Sequence, residues 1–209
     1  MKNKSENPEE GKSLPLTDQE LRELLGLVDG GNSDPDWDTP IPRVEQELKP
    51  YIGDTAAYDT FREHLHLDIK TIYYPCCGND VTPSSAFPDA KVTYLEIDPK
   101  IVDVLKNAQF DAVVGDATTF KLEELADAVV VMNPGGIPLE AFDKFLDNIR
   151  SGGYVLCNNW PGPGAAEVFS KKSTVKPLGM IRYDTQSGKE VFDSKQDFSQ
   201  SGMFVFKKA

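Results

Sequence analysis

The sequence predicts a three-layer α/β domain with a mostly parallel, seven-stranded sheet and an antiparallel hairpin at one edge. From residue 70 onward, short runs rich in Val and Ile alternate with segments of helical periodicity. This alternation is typical of a parallel sheet that is covered by helices on both faces. Near the end of the chain, two strand-like runs follow each other with no convincing helix between them, which predicts the antiparallel pair.

The length and composition limit the classes of function. The chain has 209 residues, enough for one such domain and a modest extension. A formal net charge of -12 does not attract a polyphosphate backbone, so we do not expect nucleic acid as a partner. We expect no membrane association and a cytoplasmic location, because the sequence has neither a bilayer-length apolar run nor the apolar centre of a signal peptide. An odd number of cysteines without such a signal favours reduced thiols.

An N-terminal extension is predicted to precede the main domain. Residues 1–14 are polar and are predicted to be a disordered tail. Residues 15–53 are predicted to be largely helical, because Thr17 and Glu20 fit a capping box and apolar residues follow at helical spacing. A loop rich in Gly, Asp and Pro over residues 30–42 separates two helices of this extension.

The main domain is predicted over residues 54–209, with Asp54 capping its first helix. In the segment after the second strand, Asp98 and Pro99 match the N-cap and the first position of a helix. The predicted strands are residues 71–74, 92–97, 110–115, 127–132, 154–158, 177–184 and 202–208.

Residues that directly follow the strands are the candidate site residues, because ligands of open parallel sheets bind beyond the carboxyl ends of the strands. The first strand ends in YYPCCGND, in which Gly78 permits a positive φ or a close approach of the backbone to a ligand. Thr82 and Pro83 then match the start of a short helix. Glu96 lies eighteen positions after Gly78, near the spacing that places a carboxylate on ribose hydroxyls. The alternative is a strand-end carboxylate that faces water.

This order of motifs resembles the class I S-adenosylmethionine (SAM)-dependent methyltransferase family over about residues 55–209. The family's first motif is acid-x-Gly-x-Gly-x-Gly after the first strand. In this alignment Tyr74 stands at the acid, Cys76 at the first glycine, Gly78 at the second and Asp80 at the third. The resemblance implies a Rossmann-like methyltransferase fold.

Three later positions also resemble family motifs. The family's second acid falls on Glu96 within YLEIDPKIV, and the acid that often contacts the adenine amino group falls on Asp116, beside Ala117, within VVGDA. VMNPGG resembles the fourth motif, and its Asn133 is our candidate for orienting an acceptor, because an amide both donates and accepts. The second proline and the aromatic residue of amino-methylating members are absent, so that acceptor class does not carry over.

The resemblance implies SAM as the cofactor and methyl transfer to a small-molecule or protein acceptor that the sequence does not identify. Asp80 would pair with the ammonium group of SAM and replace the missing acid, or it would only cap the turn. The N–H groups at Thr82 would suit the cofactor's carboxylate. Methyl transfer needs alignment more than a dedicated acid or base. The implied cofactor-binding residues are Tyr74, Cys76, Gly78, Asp80, Glu96, Asp116 and Ala117.

Other functions remain open. The incomplete glycine motif favours a member of the same fold that binds a nucleoside-like ligand or a protein without catalysis. Aminopropyl transfer from decarboxylated SAM would need additional carboxylates near a polyamine, which Asp116 and the acidic surface permit. Cys76 and Cys77 do not form a C-x-x-C redox pair, and no ligand spacing predicts a metal site. We expect these cysteines, together with Cys157, to be small apolar packing residues. The sequence does not indicate an oligomeric state.

Overall fold

The computed structural model describes residues 48, 50, 52–132, 137–159, 164–184, 189–195, 197–198 and 202–209. The predicted tail, nearly all of the predicted extension and the acceptor candidate Asn133 lie outside the described residues, so these predictions stay predictions.

The described strands mostly alternate with helices, apart from two consecutive strands in the middle and three after the last helix. In chain order they are α1 (Ile52–Leu65), β1 (Thr71–Pro75), α2 (Thr82–Ala86), β2 (Lys91–Glu96), α3 (Pro99–Asn107), β3 (Asp111–Val114), β4 (Ala126–Val131), α4 (Leu139–Asp147), β5 (Ile149–Asn159), α5 (Ala165–Ser170), β6 (Val175–Asp184), β7 (Lys189–Asp193) and β8 (Gly202–Lys208).

All eight strands form one sheet, in the order β3-β2-β1-β4-β5-β8-β6-β7. Strands β1 to β5 pair in parallel, which confirms the predicted α/β class. Strand β8 runs antiparallel between β5 and β6, so that Phe204 lies opposite both Cys157 and Met180. The strand order reverses between β1 and β4, and this switch point is where an open parallel sheet binds its ligands.

The sheet has one strand more than predicted, because β7 pairs with β6 at the outer edge. Its sequence, KEVFD, has too few apolar residues to be recognised as a strand. Tertiary packing holds it instead: the ring of Phe192 stacks on His64 with centroids 4.9 Å apart. The same ring lies against Gly179 of β6, where an added Cβ atom would be 2.3 Å from Cε2 of Phe192.

Two apolar cores lie on opposite faces of the sheet and make the three layers. Ile72 and Tyr74 of β1 point into a core that α1, α2 and α3 cover, whereas Tyr73 points into the core under α4 and α5. All three side chains are buried, so the central strand reads as a continuous apolar run. This packing places the carboxyl end of β1 in the middle of the sheet edge.

Two helix starts were predicted with different success. Asp98 is the N-cap of α3, with its side chain accepting the N–H of Lys100 at 2.9 Å and Pro99 directly after it, as expected. For the other helix, α1 already begins at Ile52, so Asp54 lies inside its first turn rather than before it. The apolar spacing that predicted this helix does not define where its first turn begins.

At the opposite edge of the sheet, Asp127 joins the starts of β1 and β5. Its Oδ2 accepts the N–H groups of Lys70 at 2.7 Å and Thr71 at 2.9 Å. Its Oδ1 accepts Nε of Arg150 at 2.6 Å. Partial burial opposes ionisation of Asp127, but these donors outweigh it and hold its pKa below the ordinary value.

We predict that Asp127→Asn lowers the free energy of unfolding by about 1 kcal/mol at neutral pH, because the ion pair with Arg150 is lost. Because the pKa of Asp127 is lower in the folded state, its carboxylate stabilises the fold fully when the pH is above the unfolded-state pKa of about 3.9. This stabilisation is lost as the pH falls through the folded-state pKa. Urea unfolding between neutral pH and about pH 3 should therefore show a weaker acid dependence in the variant. Asp68→Asn is the control, since the Asp68 pair with Lys70 is exposed, and an equal effect there would contradict the prediction.

Candidate functional site

The carboxyl ends of the first three strands bring the candidate residues to one edge. In the parallel register Pro75 lies opposite Leu95, and Glu96 lies opposite Val114. The turn after β1, the acid at the end of β2 and the loop after β3 are therefore neighbours. Gly115 continues the contact, since its N–H donates to the carbonyl of Glu96 at 3.0 Å.

The turn after β1 keeps a glycine-type backbone at two positions. Cys76 and Gly78 both have φ of 54°, in the left-handed region. A glycine adopts this conformation freely, whereas a cysteine loses roughly 1–2 kcal/mol in it. No atom of the described residues lies within 4 Å of a Cβ atom added at Gly78, so among these residues the space in front of the turn is open. The turn thus has a conformation that favours glycine at both positions, although one of them is a cysteine.

The Glu96 carboxylate is fixed against this turn. Its Oε2 accepts the N–H of Gly78 at 2.9 Å, and its Oε1 accepts the N–H groups of Ile97 at 2.8 Å and Asp98 at 3.2 Å. Glu96 is therefore not merely a solvated strand-end acid. Because a carboxylate has about four acceptor sites, it retains capacity for a ligand.

Asp116 is exposed beside Glu96 and is held in place by its own turn. Oδ1 accepts the N–H of Thr118 at 2.8 Å and its hydroxyl at 2.7 Å, and these bonds hold the pKa of Asp116 below the ordinary value. Within the described part of the chain, Oδ2 has no hydrogen bond. Asp116 thus offers one ionised oxygen to a ligand, while the neighbouring Ala117 packs into the core under α4 and α5.

Tyr74 and Asp80, the two residues that replace acidic and glycine positions of the motif, bind each other. The Tyr74 hydroxyl donates to Oδ2 of Asp80 at 2.6 Å, and both residues are buried. Oδ1 of Asp80 accepts the N–H of Thr82 at 2.8 Å and also the Thr82 hydroxyl. Burial, and then the charge of Asp80, raises the pKa of Tyr74, which therefore stays a donor.

This arrangement corrects the prediction for the start of α2. Val81 is the N-cap, so Thr82 is the first helical residue and Pro83 the second, and the side chain of Asp80, one residue before the N-cap, accepts the N–H of Thr82. The N–H of Thr82 is consequently not free for a cofactor carboxylate. Pairing of Asp80 with an ammonium group stays a prediction, and three of about four acceptor sites of its carboxylate are already used.

The three cysteines are free thiols in different surroundings. Cys77 and Cys157 are buried packing residues, as expected, and burial raises the pKa of each. The same expectation is wrong for Cys76, which is exposed because the left-handed backbone leaves its side chain outside the core. Partial desolvation, followed by the charges of Glu96 and Asp116, raises the pKa of Cys76 to about 11.

Ile97 was missed as a candidate, although it directly follows Glu96. Its side chain is 69% exposed, the largest value among the exposed apolar residues of the described chain. An apolar residue directly after a strand-end acid is the signal that would have identified it. Exposed next to a charged, hydrogen-bonded carboxylate, it offers an apolar surface to a flat ligand group.

The described ranges contain no group of three or more His, Cys, Asp or Glu side chains that could hold a metal ion. No helix in the same ranges is long and apolar enough to cross a membrane.

We predict that Cys76→Gly raises the free energy of unfolding by about 1 kcal/mol, because glycine relieves the left-handed strain. Urea unfolding measures the change. Cys157→Gly is the matched control: it removes a fully buried side chain from a strand and should destabilise the fold. A destabilising effect at Cys76 would contradict the left-handed backbone described for it.

Known proteins share this architecture. The structure of N-methyltransferase NodS from Bradyrhizobium japonicum WM9 with S-adenosylhomocysteine superposes with a TM-score of 0.55, 12% identity and coverage of 91% of this chain and 97% of that one. A TehB-like SAM-dependent methyltransferase from Corynebacterium glutamicum superposes with a TM-score of 0.54 and 14% identity, covering 73% of this chain and 87% of that one. A possible histamine N-methyltransferase from Thermotoga maritima superposes with a TM-score of 0.54 and 11% identity, covering 75% of this chain and 89% of that one.

The sequence itself carries no such match. No protein-family model matches it, and no curated protein matches it either. At these identities the superpositions establish architecture, and together with the strand order they show that the chain has the fold of class I SAM-dependent methyltransferases.

Proposed function

We propose that the protein binds SAM at the carboxyl ends of β1, β2 and β3 and transfers its methyl group to an acceptor. The observation that carries this proposal is the bond from the N–H of Gly78 to the carboxylate of Glu96 beside open space. It fixes a negatively charged acceptor at the edge of a turn that a ligand can approach closely. The shared fold supports the same conclusion.

The adenosine part of SAM fits the groups that face this space. Ribose hydroxyls are donors, and Glu96 is a fixed carboxylate with remaining acceptor capacity. The adenine amino group is also a donor, and Oδ2 of Asp116 is an available ionised acceptor. Ile97 supplies exposed apolar surface for the flat base between these two acids.

The methionyl part is cationic at both its sulfonium and its ammonium group. Asp80, Glu96 and Asp116 give this edge of the sheet a negative field, which favours a cationic ligand. The open space at Gly78 allows the chain of the ligand to lie directly against the backbone. Asp80 would act mainly by its charge, since its oxygens already hold Tyr74 and Thr82.

When bound, SAM supplies an electrophilic methyl group on a positively charged sulfur. The protein has to hold the acceptor atom in line with that methyl and exclude water, and neither task needs a histidine base. We propose Asn133 for orienting the acceptor, because in the sequence it comes two residues after β4, a strand that borders the switch point. Asn159 of β5 is not available for this role, since it accepts from Ala166 and donates to the carbonyl of Phe198.

Binding without catalysis is the second candidate. The burial of Asp80 and its bonds to Tyr74 and Thr82 favour it, because the acid that would fix the ammonium group is little exposed to a ligand. Aminopropyl transfer gains no specific support from the residues that the structure describes. SAM binding without methylated product across panels of amine, hydroxyl, thiol and protein acceptors would establish the non-catalytic function.

We predict that S-adenosylhomocysteine (SAH) binds the protein. Asp116→Asn should lower the affinity for SAH about tenfold or more, because an amide N–H then faces the adenine amino group. Titration calorimetry measures both affinities. Asp111→Asn is the control, since Asp111 is an exposed acid at the amino end of β3 and should leave the affinity unchanged. No detectable heat with either SAM or SAH at millimolar concentration would overturn the proposed function.

A second prediction compares two left-handed glycines. Gly78→Ala and Gly152→Ala should each lower the free energy of unfolding by about 1 kcal/mol, because their φ values of 54° and 76° disfavour a side chain. Only Gly78→Ala should lower the affinity for SAH, by about tenfold, since the added methyl group enters the space that the ligand occupies. Equal affinities in calorimetry would mean that no ligand approaches Gly78.

A further inference from the structure

The backbone N–H groups of the turn after β1 donate to acceptors within the protein. The N–H of Gly78 donates to the carboxylate of Glu96 at 2.9 Å. The N–H of Cys77 donates to the carbonyl of Leu95 at 3.4 Å, and the N–H of Asp80 donates to the carbonyl of Cys77 at 3.1 Å. These donors are therefore already used and do not form a free binding site for an anionic group of a ligand.

The start of α2, which follows this turn, is occupied in the same way. The N–H of Thr82 donates to Oδ1 of Asp80 at 2.8 Å. The N–H of Ser84 donates to the carbonyl of Val81 at 3.1 Å, and Pro83 between them has no N–H group. A ligand carboxylate consequently finds the donors of these residues already engaged.

The acids at the same edge of the sheet are not balanced by cationic side chains. Within the described ranges, Asp80, Glu96 and Asp116 form no ion pair with a Lys or Arg side chain. Their hydrogen bonds come from neutral hydroxyl and N–H groups. By contrast, Asp127 at the opposite edge binds Arg150 at 2.6 Å. The edge that carries the candidate site therefore attracts a cationic group and repels an anionic one.

The burial of Asp80 strengthens this effect. Only 6% of the residue is exposed, so water and salt screen its charge less than the charge of a surface acid. The Tyr74 hydroxyl holds Oδ2 at 2.6 Å, and the N–H of Thr82 holds Oδ1. The carboxylate thus keeps a fixed position two residues after Gly78, and its charge acts on a ligand at the turn without direct contact.

We propose that the site selects adenosine sulfoniums and thioethers whose side chain ends in an ammonium group and carries no carboxylate. SAM and SAH carry both groups, so the negative turn attracts their ammonium group and opposes their carboxylate. The preference rests on the proposed function, because it requires the nucleoside to bind at Glu96 and Asp116. It concerns binding alone and does not determine which group is transferred.

Four 5′-thioadenosines that differ only in the side chain on sulfur separate the two charged groups. SAH has the ammonium and the carboxylate, the 3-aminopropyl compound has the ammonium alone, the 3-carboxypropyl compound has the carboxylate alone, and the propyl compound has neither. Titration calorimetry with the full chain measures the four affinities. We expect the aminopropyl compound to bind about tenfold more tightly than SAH, and the carboxypropyl compound to bind about tenfold more weakly than the propyl compound.

Each pair of ligands tests the carboxylate by itself, because the two members differ in that group only. Equal affinities within either pair, or tighter binding of the member with the carboxylate, would overturn the proposal. The unmodified chain is sufficient for this comparison, so the result does not depend on any variant folding correctly.

Asp80→Asn tests the source of the preference, since it removes the charge and nearly keeps the shape of the side chain. The tenfold difference between the aminopropyl compound and SAH should fall to about threefold or less. Asp89→Asn is the matched control, because Asp89 is exposed near the amino end of β2 and should leave the difference unchanged. An unchanged difference in a folded Asp80→Asn variant would overturn the role of Asp80.

Failure of the proposed function gives a different result. If neither SAM nor any of the four thioadenosines binds, the nucleoside site and the selectivity fall together. If SAM and SAH bind and the aminopropyl compound is not favoured, only the selectivity falls. If the aminopropyl compound binds and SAM and SAH do not, the selectivity stands and methyl transfer from SAM falls.

Discussion

The hydrogen bond from the N–H of Gly78 to the carboxylate of Glu96 organises the candidate site. It joins the turn after β1 to the end of β2, so neither element can move without the other. The remaining oxygen of Glu96 holds the N–H of Ile97, which fixes how the exposed Ile97 side chain leaves the strand. The carbonyl of Glu96 in turn accepts Gly115 and so positions the loop that carries Asp116. Glu96 thereby joins three strand ends, two through its side chain and the third through its backbone carbonyl.

A buried polar cluster stabilises the same turn from the core side. Tyr74, Asp80 and Thr82 satisfy each other's hydrogen bonds, which is necessary because a buried carboxylate without donors would be strongly destabilising. Tyr94 extends this cluster: its hydroxyl lies 2.6 Å from Oγ of Ser84, and its pKa is raised by burial to about 12. The turn is therefore stabilised by neutral donors that surround a single acid. The methyltransferase motif would have an acid and glycines at these positions.

The parallel strands and the acids at their ends were predictable from sequence, because they follow from apolar runs and from the geometry of parallel sheets. Glu96 and Asp116 were identified in this way. The bond between Tyr74 and Asp80 was not, since it depends on side-chain directions across a turn. The exposure of Cys76 depends on one positive φ, which no composition rule reveals. Strand β7 was missed because Phe192 is held by residues distant in the chain.

The position of β8 has a consequence for the order of events during synthesis. Strands β6 and β7 leave the ribosome before β8, yet β8 lies between them and β5. Until β8 is made, the β6–β7 hairpin has no strand through which to join the sheet, and the edge of β5 stays unpaired. An unpaired apolar edge is a template for aggregation. The nascent chain is therefore most vulnerable between the synthesis of β5 and β8, and chaperone dependence should concentrate in that interval.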